Sequence, residues 1–287
     1  MDYSNPQIPE GINVSKTHPL SEFALLTVGV FGAITIIVLI LGFFADKLAH
    51  YIPYKYESRI TINYDFETYD NSPLQQYIQS LANRIAAAEQ LPEEMRISVS
   101  VVESDTVNAF ASLGGKIVFF TGLLEKIPNE NALAMVMAHE IAHIKHRHPI
   151  RSLGRGVVVG LFVTLFSSAI GNDIVSNSMG NVSFISQLKF SRNNEEEADT
   201  TALDALQQIY GHINGAEDLF KILKEQESIH QIPEFFSTHP YTDGRIRHIE
   251  SMKQNVGDKE ALLTELPQQY NSWMNPSESN LDVDADL

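Results

Sequence analysis

The longest apolar stretch lies near the N-terminus, where residues 23–44 contain no charged side chain. At a rise of about 1.5 Å per residue, a helix of this length spans roughly 33 Å, which is enough to cross the apolar core of a bilayer. A cleaved signal peptide would have a basic cluster before the apolar run and a small-residue cleavage site after it, and a core helix is usually shorter. The pattern therefore predicts one transmembrane helix over residues 23–45.

The remaining pattern predicts a mostly helical domain with a small β-sheet. Apolar residues recur at helical spacing in residues 73–90, and residues 97–102 alternate as in a strand. Two further apolar segments lie on either side of Gly114 and Gly115 and predict a β-hairpin. Additional helices are predicted at 131–147, 193–210, 215–228 and 241–254. The fold class that follows is α+β, preceded by the N-terminal transmembrane helix.

These elements divide the chain into five parts. They are a flexible N-terminal tail (1–22), the transmembrane helix (23–45), a connector (46–72), the α+β domain (73–270) and an acidic, disordered tail (271–287). A second apolar run, residues 156–170, is shorter than a comfortable membrane span. Its length favours a core or membrane-surface helix over a second crossing.

Composition narrows the chemistry. The 287-residue chain carries 36 acidic and 20 basic side chains, a net charge of −16, which repels polyanions and argues against a nucleic-acid partner. It has no cysteine, so disulfides and thiolate metal ligands are both excluded. A bound metal ion must therefore be held by histidine, aspartate or glutamate side chains.

The segment 138–149, AHEIAHIKHRHP, contains the clearest chemical motif. His139 and His143 lie one helical turn apart on the same face, where two imidazoles can bind one zinc ion. Glu140 follows the first histidine and can reach a water beside the ion without binding the metal itself. This arrangement is typical of a zinc-dependent hydrolase, and the alternative is a polar helix face that contains histidines.

Catalytic zinc usually has a third protein ligand, and the spacing leaves its identity open. His146 lies about 10 Å along the helix axis from His139, too far to share the ion. The extended motif with a third histidine would need glycine at 146 and histidine at 149, which this chain lacks. We therefore interpret His146 and His148 as solvated, cationic residues at a helix end. The remaining candidates are three consecutive carboxylates: Glu195, Glu196 and Glu197.

The spacing of Glu195 and Asp199, one helical turn apart, favours Glu195 among these three. One carboxylate of such a pair could bind the metal while the other accepts a hydrogen bond from a ligating imidazole. An acidic first turn that merely complements the helix dipole would have a similar sequence.

Four blocks together resemble the HtpX-like and CAAX-prenyl-protease family of membrane-associated gluzincin zinc metallopeptidases. The blocks are VNAFASLGGKIVFFTGLL at 107–124, AHEIAHIKHRHP at 138–149, FSRNNEEEAD at 190–199 and STHPYTDGRI at 237–246. They occur in the order found in that family. The chain differs from better-known members in having one clear membrane span and no tetratricopeptide region after the domain.

The resemblance implies a zincin-type domain with specific residue roles. It implies that Glu195 completes the metal site and that Asp199 contacts a ligating histidine. It also implies that His239 either stabilises the tetrahedral intermediate or caps the zinc in a latent state, with Arg245 placed nearby. Asn108, Ala109 and Phe110 would form the edge strand along which the substrate backbone lies.

The expected function is hydrolysis of peptide bonds by a water that one zinc ion activates. Glu140 would accept a proton from this water and later deliver it to the leaving amine. His239, with Arg245, would donate to the developing oxyanion. The substrates would be misfolded, membrane or envelope proteins. A non-proteolytic adaptor that binds exposed strands, and a structural zinc module with His239 as fourth ligand, are the alternative interpretations.

The protein is expected to be a single-pass protein of the bacterial inner membrane, anchored by residues 23–44. Lys16 precedes the span, whereas Lys47, Lys55 and Arg59 follow it. The excess of two positive charges after the span leans toward a cytoplasmic catalytic domain, but so small an excess leaves the side open. The sequence indicates no particular oligomeric state.

Overall fold

A computed structural model describes residues 18–49, 51–57, 72–154, 156, 190–227, 235, 238–239, 243–256 and 261–274. Apart from residue 156, the apolar run 156–170 lies outside these ranges. The prediction for that run is therefore not addressed by the structure. Within the described residues the protein is mostly helical and contains one small sheet, which confirms the predicted α+β class.

The N-terminal helix α1 runs from Pro19 to Ala49, and so begins before the predicted residue 23 and ends after residue 45. Its segment Pro19–Phe44 has a mean hydropathy of 2.8 and is not buried against the rest of the protein. Among the described residues this is the one helix that is long and apolar enough to cross a membrane.

The sheet has three strands, β1 (Ser98–Val102), β2 (Ala109–Ala111) and β3 (Lys116–Phe120), in the order β1-β3-β2. β1 pairs with β3 in parallel, and β2 pairs with β3 antiparallel, which confirms the predicted hairpin. The turn between β2 and β3 is a short 3₁₀ segment, Leu113–Gly115, in which Gly114 and Gly115 have φ values of 71° and 78°. A side chain at Gly115 would also collide with the carbonyl oxygen of Arg96, so only glycine fits there.

The helices of the domain pack around a single large apolar cluster together with one face of the sheet. After the four-residue helix α2 (Tyr54–Glu57), they are α3 (Pro73–Ala88), α4 (Thr121–Leu124), α5 (Glu130–Lys145), α6 (Arg192–Tyr210), α7 (Asp218–Glu227), α8 (Asp243–Val256) and α9 (Tyr270–Met274). Helices α5 and α6 pack against each other, and α3 packs on both. This arrangement places the motif helix α5 in the middle of the core.

The connector after α1 is attached to the domain behind the end of α5. Arg147, which is 8% exposed, donates from Nε to Oε1 of the buried Glu57 at 2.6 Å and from Nη2 to the carbonyl of Ile52 at 2.7 Å. The phenol of Tyr54 lies against Gly115 in the hairpin turn. The segment 51–57 is therefore part of the folded domain rather than a free connector.

Predicted boundaries also differ from the structure at the end of α5 and at the C-terminal side. Helix α5 ends at Lys145 instead of 147, and residues 148–154 form a new helical segment that includes Pro149. At the C-terminal side, α9 runs from Tyr270 to Met274, so the first four residues of the predicted tail are helical. Tyr270 and Met274 are buried in the core, and their helical spacing is a signal that the polar composition of the segment obscured.

Candidate metal centre

Helix α5 supplies two histidines from inside the core. The helix begins at Glu130, after its N-cap residue Asn129. The Asn129 side chain accepts a hydrogen bond from the backbone N–H of Ala132 at 2.9 Å. Every residue from Glu130 to Ile144 is buried. The rings of His139 and His143 lie one turn apart, 4.6 Å between centroids, and neither can reorient without disturbing the surrounding side chains.

Helix α6 brings a carboxylate to these histidines. Ser191 caps the helix by accepting a hydrogen bond from the N–H of Asn194, and Glu195 then lies in the buried first turn. Glu196 and Glu197 point outward and are exposed. Of the three consecutive glutamates, only Glu195 therefore reaches His139 and His143, which favours it as the third ligand.

The distances between the converging atoms fit a tetrahedral zinc ion. Such an ion, with bonds of about 2.0–2.1 Å, separates its ligand atoms by roughly 3.3 Å. The Nε2 atoms of His139 and His143 are 3.0 Å apart, and they lie 3.4 Å and 3.5 Å from the carboxylate oxygens of Glu195. The 3.4 Å distance is to Oε2 and the 3.5 Å distance is to Oε1, so each nitrogen faces one oxygen of the same carboxylate. Two imidazoles and a carboxylate are donors that zinc prefers.

His239 lies at the same point. Its Nδ1 is 3.2 Å from Nε2 of His139 and 3.3 Å from Oε1 of Glu195, and all four residues could bind one ion together. Its other nitrogen, Nε2, is 3.3 Å from Oε1 of Glu140. A backbone hydrogen bond from His239 N–H to the Phe235 carbonyl, at 2.8 Å, holds this histidine in place.

The buried ionisable groups of α5 and α6 shift one another's pKa values. Burial by itself would lower the pKa of His139, but hydrogen bonds with Asp199 and Glu195 raise it to about 9. Burial would raise the pKa of Glu195, yet His239 and His139 hold it well below its usual range. In contrast, burial and the neighbouring His139 lower the pKa of His143. Glu195 is therefore ionised, as a metal ligand must be.

Glu140 is completely buried beside this cluster. Neither of its carboxylate oxygens forms a hydrogen bond with a described side chain. Burial raises its pKa, although His239, His139 and the backbone amide of Ala111 on β2 offset part of the effect. A buried carboxyl group with a raised pKa next to a candidate metal site is positioned to exchange a proton with a water there.

Asp199 and Arg245 contact the candidate ligands on the side away from the converging atoms. Oδ1 of Asp199 is 3.0 Å from Nδ1 of His139, and Arg245 binds both oxygens of Asp199, at 2.6 Å and 2.7 Å. Nη1 of Arg245 also lies 2.9 Å from Oε2 of Glu195. Because two carboxylates engage this guanidinium, its contacts favour a role in holding the ligands over the predicted role at the oxyanion.

The predicted substrate strand borders the cluster. Ala109 and Phe110 belong to β2, at the edge of the sheet among the described strands, whereas Asn108 immediately precedes it. Asn108 is buried, and its Oδ1 accepts a hydrogen bond from Thr238 at 3.4 Å. The backbone N–H of Phe235 donates to the Val107 carbonyl at 3.1 Å. The edge strand and the segment that carries His239 are thus attached to each other.

The interpretation of His146 and His148 as solvated cations is wrong. His148 is fully buried, and burial lowers its pKa to about 4 despite the nearby Glu197. His146 is partly exposed, and burial lowers its pKa as well. The polar residues after Lys145 predict a helix end in solvent, whereas the chain turns back into the core there.

Sequence reasoning also missed Phe190, whose ring stacks on His143 with centroids 4.0 Å apart. Phe190 is buried and immediately precedes the cap of α6. An apolar residue just before a helix cap is a recognisable signal that such a side chain packs inward.

Comparisons with known proteins agree with this geometry. The sequence profile of Peptidase family M48 matches residues 72–253, which includes every candidate site residue. The match confirms the predicted resemblance, the enzyme class and zinc as the cofactor.

Individual relatives are similar over the same part of the chain. The beta-barrel assembly-enhancing protease of Yersinia pestis is 29% identical over 60% of this chain and 37% of its own length. The mitochondrial metalloendopeptidase OMA1 of Schizosaccharomyces pombe is 31% identical over 62% of this chain and 52% of its own length. The Escherichia coli beta-barrel assembly-enhancing protease is 29% identical, over 61% and 38%. The alignments thus leave much of each relative uncovered. With the profile covering most of the chain, and the HExxH helix and Glu195 meeting at one point, this protein belongs to peptidase family M48.

Proposed function

We propose that the protein is a membrane-anchored metalloendopeptidase that hydrolyses peptide bonds within protein substrates. The observation that carries this proposal is the position of the Glu140 carboxyl group. It is completely buried, lies 3.3 Å from His239 and borders the converging atoms of His139, His143 and Glu195. A site that only binds metal, or a surface that only binds strands, has no use for such a group.

His139, His143 and Glu195 would hold the zinc ion. When bound, zinc supplies a Lewis acid that makes a neighbouring water more acidic and polarises the scissile carbonyl. Glu140 accepts the proton of the attacking water and later delivers it to the leaving amine. His239, 3.3 Å from Glu140, is placed to donate to the oxygen on which negative charge develops.

The substrate backbone would lie along β2. The Ala111 amide of this strand already influences Glu140, so a peptide paired with the edge of β2 would run past the general base. A strand edge recognises backbone rather than side chains, which suits extended segments of misfolded proteins. Anchoring by α1 suggests membrane or envelope proteins as substrates and a bacterial inner membrane as the location.

The position of His239 is compatible with two states of the site, one in which it is a permanent zinc ligand and one in which it is a movable cap. Four protein ligands are typical of structural zinc, and His239 lies at ligand distance from His139 and Glu195. We propose that His239 is instead a movable cap, because a permanent fourth ligand would leave the buried Glu140 without a role. His239→Ala should then keep one zinc per chain while changing the rate of hydrolysis. Loss of zinc from this variant would favour the structural site.

The deciding experiment uses the full chain in detergent micelles and a fluorescently labelled unfolded protein as substrate. Glu140→Gln should reduce hydrolysis by about 10²- to 10⁴-fold, the usual contribution of a general acid–base, with an unchanged zinc content. The control Glu125→Gln alters an exposed glutamate away from the site and should leave both unchanged. Cleavage by Glu140→Gln at the wild-type rate would exclude this mechanism, and a wild-type protein that binds but never cleaves would favour the adaptor.

A further inference from the structure

His148 touches a metal ligand on the side away from the metal. Nε2 of His143 faces the cluster, whereas its Nδ1 lies 2.8 Å from Nδ1 of His148. Nε2 of His148 in turn lies 3.1 Å from Oε2 of Glu197. His143, His148 and Glu197 therefore form a continuous chain of hydrogen bonds that leads from the metal site to the surface.

Metal binding determines the direction of these hydrogen bonds. An imidazole that binds zinc through Nε2 carries its hydrogen on Nδ1, so Nδ1 of His143 must be the donor. Nδ1 of His148 must then accept, which places the hydrogen of His148 on Nε2, where it donates to the Glu197 carboxylate. A neutral ring suits this position, because a doubly protonated His148 could not accept.

The backbone places His148 for this contact. Arg147 adopts a left-handed conformation, φ 61°, which is unusual for a residue with a large side chain. This turn directs the chain back beneath α5, so His148 reaches a histidine five residues earlier. The buried contacts of Arg147 with Glu57 and Ile52 hold the turn from the other side.

We propose that His148 is a positioning residue for the metal site: it accepts the Nδ1–H of His143 and so fixes the tautomer and the orientation of that ligand. The proposal rests on the metal centre described above. The usual outer partner of a zinc-binding imidazole is a carboxylate, a backbone carbonyl or water, and loss of such a partner weakens metal binding by about 10- to 100-fold.

Three variants of the full chain test the role. His148→Leu introduces an apolar side chain that fills part of the same space but has no hydrogen-bond acceptor. His148→Asn retains an acceptor, because its side-chain oxygen lies close to the place of Nδ1. The matched control is His146→Leu, because His146 contacts Glu197, Thr201 and the ring of His148. None of these contacts involves His139, His143 or Glu195. Zinc dissociation constants would be measured by competition with a chelator, and folding would be checked by circular dichroism.

We expect His148→Leu to weaken zinc binding about 10- to 100-fold, His148→Asn to remain within about threefold of wild type, and His146→Leu within about twofold. Equal losses in the Leu and Asn variants would show that His148 serves packing alone, and unchanged affinity in His148→Leu would also overturn the proposal. A wild-type chain that binds no zinc would instead refute the metal centre itself.

A second measurement does not depend on the variants folding. In the zinc-loaded wild-type chain with ¹⁵N-labelled histidine, long-range nitrogen–proton NMR spectra report the tautomer of each ring. The proposal requires hydrogen on Nδ1 of His143 and on Nε2 of His148. Hydrogen on Nδ1 of His148, or on both of its nitrogens, would contradict it.

Discussion

His139 and His143 come from neighbouring turns of α5, yet their outer nitrogens meet groups of different charge. His139 faces Asp199, a buried carboxylate that is itself bound by Arg245. His143 faces His148, a buried neutral ring whose own partner, Glu197, is 49% exposed. One side of the metal centre is thus an ionic network, and the other is a chain of imidazoles.

This difference shows how a fold can give two identical ligands different properties. The Asp199 carboxylate favours the charged form of His139, so its pKa rises, whereas burial beside other histidines lowers the pKa of His143. A carboxylate partner also makes an imidazole a stronger electron donor to a metal. We therefore expect the two sides to differ in their contribution to stability, in their response to pH and in their sensitivity to substitution.

The largest effect is expected on the ionic side. Asp199→Ala leaves Arg245 buried with Glu195 as its remaining acidic partner, and breaking a buried ion pair costs about 3–5 kcal/mol. Urea denaturation of the metal-free chain would measure the loss, and Glu196→Ala, an exposed neighbour, should change stability by less than about 0.5 kcal/mol. The comparison would fail if His148→Leu proved as destabilising as Asp199→Ala, since a neutral hydrogen bond should cost only about 1–3 kcal/mol.

Opposite pH responses are expected next, again in metal-free protein. The pKa of His139 is about 9 in the fold and about 6.5 in an unfolded chain, so its stabilising contribution is complete below pH 6.5. It disappears as the pH rises to 9, a change on the order of 3 kcal/mol. The pKa of His143 is lowered, so its contribution is present above pH 6.5 and decreases as the pH falls.

Denaturation between pH 5 and 9.5 would separate the two histidines. His139→Asn should flatten the decline between pH 6.5 and 9, and His143→Asn should flatten the rise on the acidic side. If both substitutions flattened the same part of the profile, the two ligands would not differ in the way that their partners suggest.

The smallest effect concerns the caps that begin the two ligand helices. Ser191 caps the helix of Glu195, and Asn129 caps the helix of both histidines. Replacing either residue with alanine should lower the free energy of unfolding by about 1 kcal/mol. Ser191→Ala should weaken zinc binding more than Asn129→Ala does, because Glu195 lies in the first turn of its helix and the histidines lie far from theirs. Chelator competition on both variants would check this order.

Local patterns were sufficient for much of the fold. The hairpin was predicted because Gly114 and Gly115 allow a turn that other residues resist, and the helices because their apolar residues recur at helical spacing. The pair His139 and His143 was predictable for the same reason, since residues four apart on a helix share one face. Such features depend on residues that are neighbours in the chain.

Glu195 and His148 show where local patterns stop. Spacing left three adjacent glutamates as candidate ligands, and only the packing of α6 on α5 turns Glu195 inward while Glu196 and Glu197 face out. The sequence pattern predicts a solvent-exposed His148, which is wrong. Nothing near this residue in the sequence indicates the left-handed turn at Arg147 or the contact of Arg147 with the distant Glu57.

The sequence by itself determined the long apolar N-terminal helix, the hairpin, the pair of histidines on one helix face and the glutamate between them, since each depends on a short stretch of chain and on the chemistry of its side chains. The resemblance already implied that Glu195, Asp199 and His239 lie near the histidine pair, and the tertiary structure shows these contacts. Only the tertiary structure revealed that His148 lies behind His143 and that His239 lies against Glu140. Burial and charge pairing arise between segments a hundred or more residues apart, and only the folded chain brings those segments together.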